Sequence, residues 1–175
     1  TTSSARLRPT LLLSLGGCEP ITVSDHRPLW WRRAPEWSSR LGELVGVVLL
    51  DLDHFRQVND VHGHATGDAV LVAVAGVLRS QVRAGDLAVR TGGEELLLID
   101  PVTGAGDVGH TAERIRLAVE QLDVGGLPPT TASFGTAVSS ADDVLSPAAQ
   151  DPDGALHLIE QLASSADAAM YEAER

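Results

Sequence analysis

The sequence predicts an α+β domain in which a mixed, mostly antiparallel sheet is flanked by helices. Apolar residues make up 43% of the 175 residues, enough for a globular core. Strand-like and helix-like segments follow one another in the order β-α-β-β-α-β-α, which predicts a ferredoxin-like palm. The run "ELVGVVLLDLD" is almost continuously apolar, as in a central strand covered on both faces. We therefore place one domain at residues 41–175 and an N-terminal extension, or divergent entry segment, at residues 1–40.

The remaining elements are predicted from periodicity and from residues that favour element ends. A helix is expected to begin with Thr66 as N-cap, because Leu71, Val74 and Leu78 recur on one face after it. The segments "DLAVR" and "ELLLID" flank a Gly-Gly pair as the strands of a hairpin. The later elements are a helix over residues 111–122, a strand in "TTASFGTAVS" and a final helix with Asp151 as N-cap and Pro152 at its first position.

Charge and composition exclude several classes of function. The net charge is −11, which argues against nucleic-acid binding and against contact with an anionic membrane. All 13 basic residues are arginine, so a Schiff-base lysine and a Walker-type phosphate lysine are excluded. The single cysteine, Cys18, rules out a disulfide framework. "RLRPTLLLSLGGC" has features of a lipoprotein signal, but its apolar core is short and we favour a strand ending in a Gly-Gly turn. We expect a cytoplasmic domain.

Two pairs of carboxylates predict a metal site. In "LLDLDHF", Asp51 and Asp53 end an apolar strand and alternate onto the same face. In "RTGGEELLLID", Glu94 and Glu95 follow the glycines at the mouth of the hairpin. If the hairpin lies beside the first strand, Asp51 and Glu94 converge, and oxygen ligands of this kind suit Mg²⁺ or Mn²⁺. The alternative is that Asp53 caps the next helix and the glutamates are solvated turn residues.

The motifs resemble those of the GGDEF domain, the diguanylate cyclase family. "RTGGEEL" is similar to the naming motif in its Glu form, with Leu96 in place of the usual Phe. "DLDHFRQVNDVHGHATGD" is similar to the metal and guanine segment, and "ASFGTAV" and "ADAAMYEAE" are similar to the later strand and last helix. The resemblance implies a nucleotidyl-cyclase palm that joins two GTP molecules into cyclic di-GMP, as a homodimer with one GTP bound to each domain.

The resemblance also implies roles for individual residues. The metal ligands would be Asp51, Glu94 and the carbonyl of Leu52, with Glu95 beside them. Asn59 and Asp68 would bind the guanine edge. The backbone amides of His54, Phe55 and Arg56 would cradle the terminal phosphates, with Arg56 also aiding catalysis. Gly92 and Gly93 would let the protein backbone approach the nucleotide. Arg83 and Asp86 of "RAGD" would form an inhibitory site for the product; the alternative is a helix-terminal arginine beside a turn aspartate.

Three departures from the family pattern keep a second function open. "DHRPLWWRR" retains Asp25, Leu29 and arginines but lacks the Thr-Gly pair of the family's first segment. Glu174 stands where the family has a phosphate-binding lysine, and the family's final Gly-Arg-Asn segment and strand are not present. The first interpretation is an active cyclase with product inhibition. The alternatives are a degenerate module that binds GTP or cyclic di-GMP as a receptor and, less favoured because Asn59 and Asp68 suit guanine, another nucleotidyl cyclase.

Overall fold

A computed structural model describes most of the chain from residue 44 onward, at residues 44–81, 83, 86–90, 93–127, 129–140, 142–143 and 152–173. The predictions for the extension at residues 1–40, for Gly92, for the Asp151 cap and for Glu174 lie outside the described residues. The domain boundary at residue 41 therefore stays a prediction.

Four strands and four main helices form the described part of the domain. The strands are β1 (Leu44–Leu52), β2 (Leu87–Arg90), β3 (Glu95–Val102) and β4 (Ala132–Ser140). The helices are α1 (Phe55–His62), α2 (His64–Gln81), α3 (Ala105–Glu120) and α4 (Pro152–Ala173). The α+β palm architecture is confirmed, and so is the predicted order of elements, except that two helices, α1 and α2, follow β1 where one was predicted.

The strands form one sheet in the order β2-β3-β1-β4, and all three of its pairings are antiparallel. β1 pairs with β3 on one side and β4 on the other along its full length. The predicted hairpin is confirmed, because β2 pairs with β3 and Arg90 lies opposite Leu96. The carboxyl end of β1 therefore meets the amino end of β3 at one end of the sheet.

Both faces of β1 are buried, as its apolar run predicts. Val48, Leu50 and Leu52 join the hydrophobic core formed with the first three helices. Val45, Val47 and Leu49 alternate onto the other face and are buried as well. That second face is covered by α4, whose residue Ala166 is fully buried against β4 at Gly135. The sheet thus lies between two layers of helix.

Gly135 allows this close approach of α4 to the sheet. A Cβ at this position would lie 1.8 Å from the carbonyl oxygen of Ala166, well inside the closest distance that real Cβ atoms show. The glycine of "SFGTA" is therefore required for packing, because any side chain would push the helix away from β4.

Two predicted helix starts are wrong. Thr66 is not an N-cap: it lies inside α2, and its hydroxyl donates to the carbonyl of His62 at 2.8 Å. The break between α1 and α2 occurs at Gly63, whose positive φ of 84° ends α1 and lets α2 begin at the next residue. The helix predicted from residue 111 begins at Ala105, because the carboxylate of Asp107 accepts the N–H of Gly104 at 2.9 Å.

Candidate active site

Three polar residues form a row across the sheet where β1 ends. Asp51 lies directly opposite Glu95 of β3 on one side and Ser133 of β4 on the other. Opposed residues of antiparallel strands carry their side chains on the same face, so these three form what we call the acidic row. All three are half-buried. The carboxylates of Asp51 and Glu95 are thus held side by side at one end of an apolar sheet, where a cation would offset their repulsion.

Two hydrogen bonds tie Asp53 to β4 and to the residue directly before it. Its carboxylate accepts from the Ser133 hydroxyl at 2.8 Å, and its own N–H donates to the carbonyl of Thr131 at 3.0 Å. The alternative that Asp53 caps the following helix is wrong, since the N-cap residue is His54. The chain leaving β1 is therefore fixed to the strand beside it before α1 begins.

The turn into α1 begins the helix without a side-chain cap on its first backbone amides. His54 adopts the left-handed conformation, with φ 58° and ψ 20°, and its side chain makes no capping hydrogen bond. Phe55 is buried and anchors the first turn, whereas His54 and Arg56 are exposed. The Arg56 guanidinium pairs with Asp60 at 3.7 Å, and both side chains are largely exposed. A surface pair of this kind is worth about 0–1 kcal/mol, so Arg56 is available to an anionic ligand.

The two residues predicted to bind guanine lie on neighbouring helices. Asn59 is half-buried on α1, and Asp68 is exposed in the first turns of α2. The Asn59 side chain rests against Gly67, the residue before Asp68, because a Cβ at Gly67 would lie 2.0 Å from Asn59 Oδ1. The fold thus brings the amide of Asn59 close to the backbone that carries Asp68.

The hairpin places Glu95 in the acidic row and Glu94 directly before it. Glu94 lies in the bend before β3 and is half-buried, as is Glu95. The register therefore places Glu95 opposite Asp51 and Glu94 one residue beyond it. Gly93 is exposed, with open space where a Cβ would stand. Among the described residues, no atom lies within 4 Å of the place where a side chain of residue 93 would begin.

Arg90 braces this bend and was not predicted as a site residue. Its guanidinium donates two hydrogen bonds to the carbonyl of Gly93, from Nε at 3.1 Å and Nη2 at 2.7 Å. A planar guanidinium holds one oxygen firmly through two donors. The arginine that begins "RTGGEEL" was the available signal. Ser133 was also missed, and only its place in an alternating strand could have indicated it.

The predicted product site lies at the other end of β2. Arg83 is exposed, but Asp86 is buried and its carboxylate accepts the N–H of Arg83 at 2.6 Å. Asp86 also faces Asp100 of β3, a buried carboxylate that accepts from the Thr111 hydroxyl at 3.1 Å. Burial, and then the charge of Asp100, raises the pKa of Asp86 to about 6. A ligand that used Asp86 would have to draw it out of this turn, and its predicted role stays a prediction.

The donor set at the acidic row fits a hard divalent cation. Carboxylates from Asp51 and the Glu94–Glu95 pair, with the adjacent backbone carbonyl of Leu52, are all oxygen ligands. Among the described residues, no group of three or more His, Cys, Asp or Glu side chains is arranged to hold an ion by itself. An ion here would therefore need ligands from water or from substrate phosphate, as is usual for Mg²⁺.

Comparison with known families agrees with this arrangement. The model of the family "Diguanylate cyclase, GGDEF domain" matches residues 32–175. The chain belongs to the GGDEF family. Residues 32–40 fall inside the match, so it reaches into the segment predicted as an extension.

Relatives of this GGDEF domain include named cyclases. Diguanylate cyclase DgcM of Escherichia coli is 39% identical over 111 residues, 63% of this chain and 27% of DgcM. The solved structure of diguanylate cyclase SiaD with its activator SiaC, from Pseudomonas aeruginosa, is 37% identical with a TM-score of 0.63, covering 83% of this chain and 52% of that one. The GGDEF domain of DgcB from Caulobacter crescentus, solved with c-di-GMP, is 31% identical with a TM-score of 0.54, covering 72% and 79%. This chain therefore spans about a quarter of DgcM and about half of SiaD.

None of the helices in the described part of the GGDEF domain combines the length and hydrophobicity needed to cross a membrane.

Proposed function

We propose that this domain condenses two molecules of GTP into cyclic di-GMP. The 3′-hydroxyl of one GTP attacks the α-phosphorus of the other, the bond to the β-phosphate oxygen breaks, and pyrophosphate and a proton leave. A second attack of the same kind, in which the two nucleotides exchange roles, closes the ring and releases the second pyrophosphate. The observation that carries the proposal is the acidic row, where the register sets Asp51 of the "DLD" strand beside Glu95 of the "GGEE" hairpin.

The triphosphate binds where β1 turns into α1. The amides at the start of α1, at His54, Phe55 and Arg56, are suited to phosphate oxygens because helix N-termini favour anions. The exposed Arg56 side chain adds a positive charge. Asp51, Glu94 and the Leu52 carbonyl would hold Mg²⁺ or Mn²⁺, which when bound neutralises the triphosphate and polarises the α-phosphate. Glu95, opposite Asp51, supports this carboxylate set.

The base is held by Asn59 and Asp68. A carboxylate accepts from guanine N1–H and the 2-amino group, and an amide can donate to the neighbouring acceptors of guanine. Adenine lacks that donor pattern, so these two residues favour GTP over ATP.

Catalysis requires two domains that face each other, since each binds one GTP. The GGDEF domain is therefore proposed to act as a homodimer, and Arg83 and Asp86 to bind the product in an inhibitory site. That site lies at the end of β2 remote from the hairpin bend, so product binding there would not compete for the GTP ligands.

The test is to incubate the protein with GTP and Mg²⁺ and to quantify cyclic di-GMP and pyrophosphate by chromatography. Glu94→Gln and Asp51→Asn should each abolish product and weaken Mg²⁺-dependent GTP binding, because each removes an anionic ligand. Glu113→Gln, which alters an exposed α3 residue outside the row, is the matched control and should retain activity. Unchanged Mg²⁺–GTP affinity in both Glu94→Gln and Asp51→Asn would show that the metal is held elsewhere.

A second candidate is a non-catalytic module that binds cyclic di-GMP or GTP as a receptor. The specific observation in its favour is Glu174, an acidic residue where the family has a phosphate-binding lysine. A protein that makes no product but binds cyclic di-GMP through Arg83 would establish this function instead.

A further inference from the structure

Asn59 and Asp68 are the two residues proposed to bind guanine. Gly67 directly precedes Asp68 in the chain and is in contact with the Asn59 side chain. It lies one turn into α2, and its N–H donates to the carbonyl of Gly63 at 3.2 Å. Gly67 is buried, although both flanking residues, Thr66 and Asp68, have accessible surface. Another part of the protein must therefore cover the Cα atom of Gly67.

The covering group is the Asn59 side chain. A Cβ built on Gly67 would lie 2.0 Å from Asn59 Oδ1 and 2.9 Å from Cγ, with Phe55 Cζ at 3.2 Å. Real Cβ atoms essentially never approach another heavy atom within 3.0 Å. The Asn59 carboxamide thus occupies the space that any other residue at position 67 would fill.

This contact fixes the spacing of the base-reading groups. Asp68 is covalently attached to Gly67, so the carboxamide that rests on Gly67 has a set position relative to the Asp68 backbone. An alanine at position 67 would displace the Asn59 oxygen by about 1 Å or more, and hydrogen bonds weaken steeply over such a change. The three atoms nearest to a Cβ at Gly67 belong to Asn59 and to the ring of Phe55, and none of them belongs to Asp51 or Arg56.

We infer that Gly67 is a specificity-determining positioning residue, which sets the Asn59 amide against α2 so that Asn59 and Asp68 bind one guanine base together. The inference rests on the proposed function, since it takes these two residues as the guanine site. Gly67 acts by lacking a side chain and makes no contact with the base.

The experiment measures the affinities for GTP and ATP, each with Mg²⁺, in four variants of the full chain. Gly67→Ala should lower the ratio of GTP to ATP affinity about tenfold, the effect of one unsatisfied polar group, and leave ATP affinity within about twofold. Gly76→Ala is the matched control on the same helix, because a Cβ there meets nothing within 4 Å, and it should keep the wild-type ratio. Asn59→Ala should lower the ratio, and adding Gly67→Ala to it should lower it no further.

The outcomes separate this inference from the proposed function. If the wild type does not prefer GTP, both are overturned. If the wild type prefers GTP and Asn59→Ala lowers the ratio but Gly67→Ala does not, only the role of Gly67 is overturned. If Gly67→Ala fails to fold, the double variant Gly67→Ala/Asn59→Ala decides: recovery of folding supports a conflict with Asn59, and continued misfolding overturns the inference.

Discussion

The buried carboxyl groups of Asp86 and Asp100 face each other across the β2–β3 hairpin. Asp86 precedes Leu87, which pairs with Ile99, so the two aspartates continue the antiparallel register. Both are almost fully buried, at 7% and 5% exposure. Burial therefore favours the protonated form of Asp86 and is the main reason that its pKa is raised to about 6.

This pair predicts an unusual dependence of stability on pH. The pKa of Asp86 is higher in the folded than in the unfolded chain, so its contribution to stability is complete below the unfolded value of 3.8 and is lost as pH rises to about 6. Asp86→Asn should remove this loss, and the variant should gain stability relative to wild type between about pH 5 and pH 7.5. Urea unfolding at both pH values is the measurement.

Asp107→Asn is a control, because this substitution should change the pH dependence of stability in the opposite direction to Asp86→Asn. The hydroxyl of Thr103 and the N–H of Gly104 hold the pKa of Asp107 below its usual value. Its contribution is therefore present at neutral pH and lost on acidification. Parallel pH profiles for wild type and Asp86→Asn would show that the pKa of Asp86 is not raised in the folded protein.

Gly135→Ala should destabilise the domain by displacing α4. The added methyl would meet the Ala166 carbonyl at 1.8 Å, and overpacking of this kind costs about 1–3 kcal/mol or more. Gly109→Ala, on the exposed side of α3 with open space for a Cβ, should instead stabilise by about 0.5–1 kcal/mol. Chemical denaturation compares the two, and equal midpoints would contradict the close packing at Gly135.

Ser133→Ala should weaken GTP binding more than it weakens the fold. The hydroxyl holds Asp53 at the turn into α1, and losing one such hydrogen bond costs about 0.5–1.5 kcal/mol of stability. The turn that presents the α1 amides loses one of its two ties to β4 and the residue directly before β4, so affinity for GTP should fall. Ser133→Thr keeps a hydroxyl and is the control. A variant that lowers unfolding free energy but leaves GTP affinity intact would limit Ser133 to a structural role.

Arg83→Ala should weaken cyclic di-GMP binding at least tenfold, because charge-assisted hydrogen bonds contribute about 1.5–3 kcal/mol each. In an active enzyme this variant should also accumulate more product before it stalls. Arg79→Ala, a neighbouring exposed arginine on α2, serves as the control. Calorimetry with cyclic di-GMP and a progress curve of product are the two measurements. Identical results for the two arginine variants would remove the proposed product site.

The sequence could predict the elements and much of the active end, because these depend on local patterns. The apolar run around Val47 predicted a central strand, and the glycine pair before Glu94 predicted the hairpin. The start of α2 was misjudged because Thr66 resembles a cap, whereas the deciding residue was Gly63. The tie between Ser133 and Asp53 left no local signal, since it joins residues 80 positions apart.

The burial of Asp86 was equally invisible from its motif. "RAGD" resembles a surface turn, and nothing within those four letters shows that Asp100 lies behind it. That contact depends on the register of the hairpin and on the packing of α3 through Thr111. A contact that depends on two paired strands and on a helix packed against them can be identified only from the three-dimensional structure.

The central position of β1 has a consequence for the order in which the molecule is made and folded. The neighbours of Asp51 on β3 and β4 are synthesised well after β1. The later of the two, Ser133, lies on β4, which is the last strand of the sheet to be synthesised. Loop closure over such distances is slow, because the entropy of the intervening chain must be lost before the pairing contributes. During translation β1 therefore stays an unpaired, strongly apolar segment until β3 and β4 have been synthesised and pair with it. Nucleotide affinity should accordingly appear in a single late step on the ribosome, and truncated chains that end before β4 should be held by chaperones without binding nucleotide.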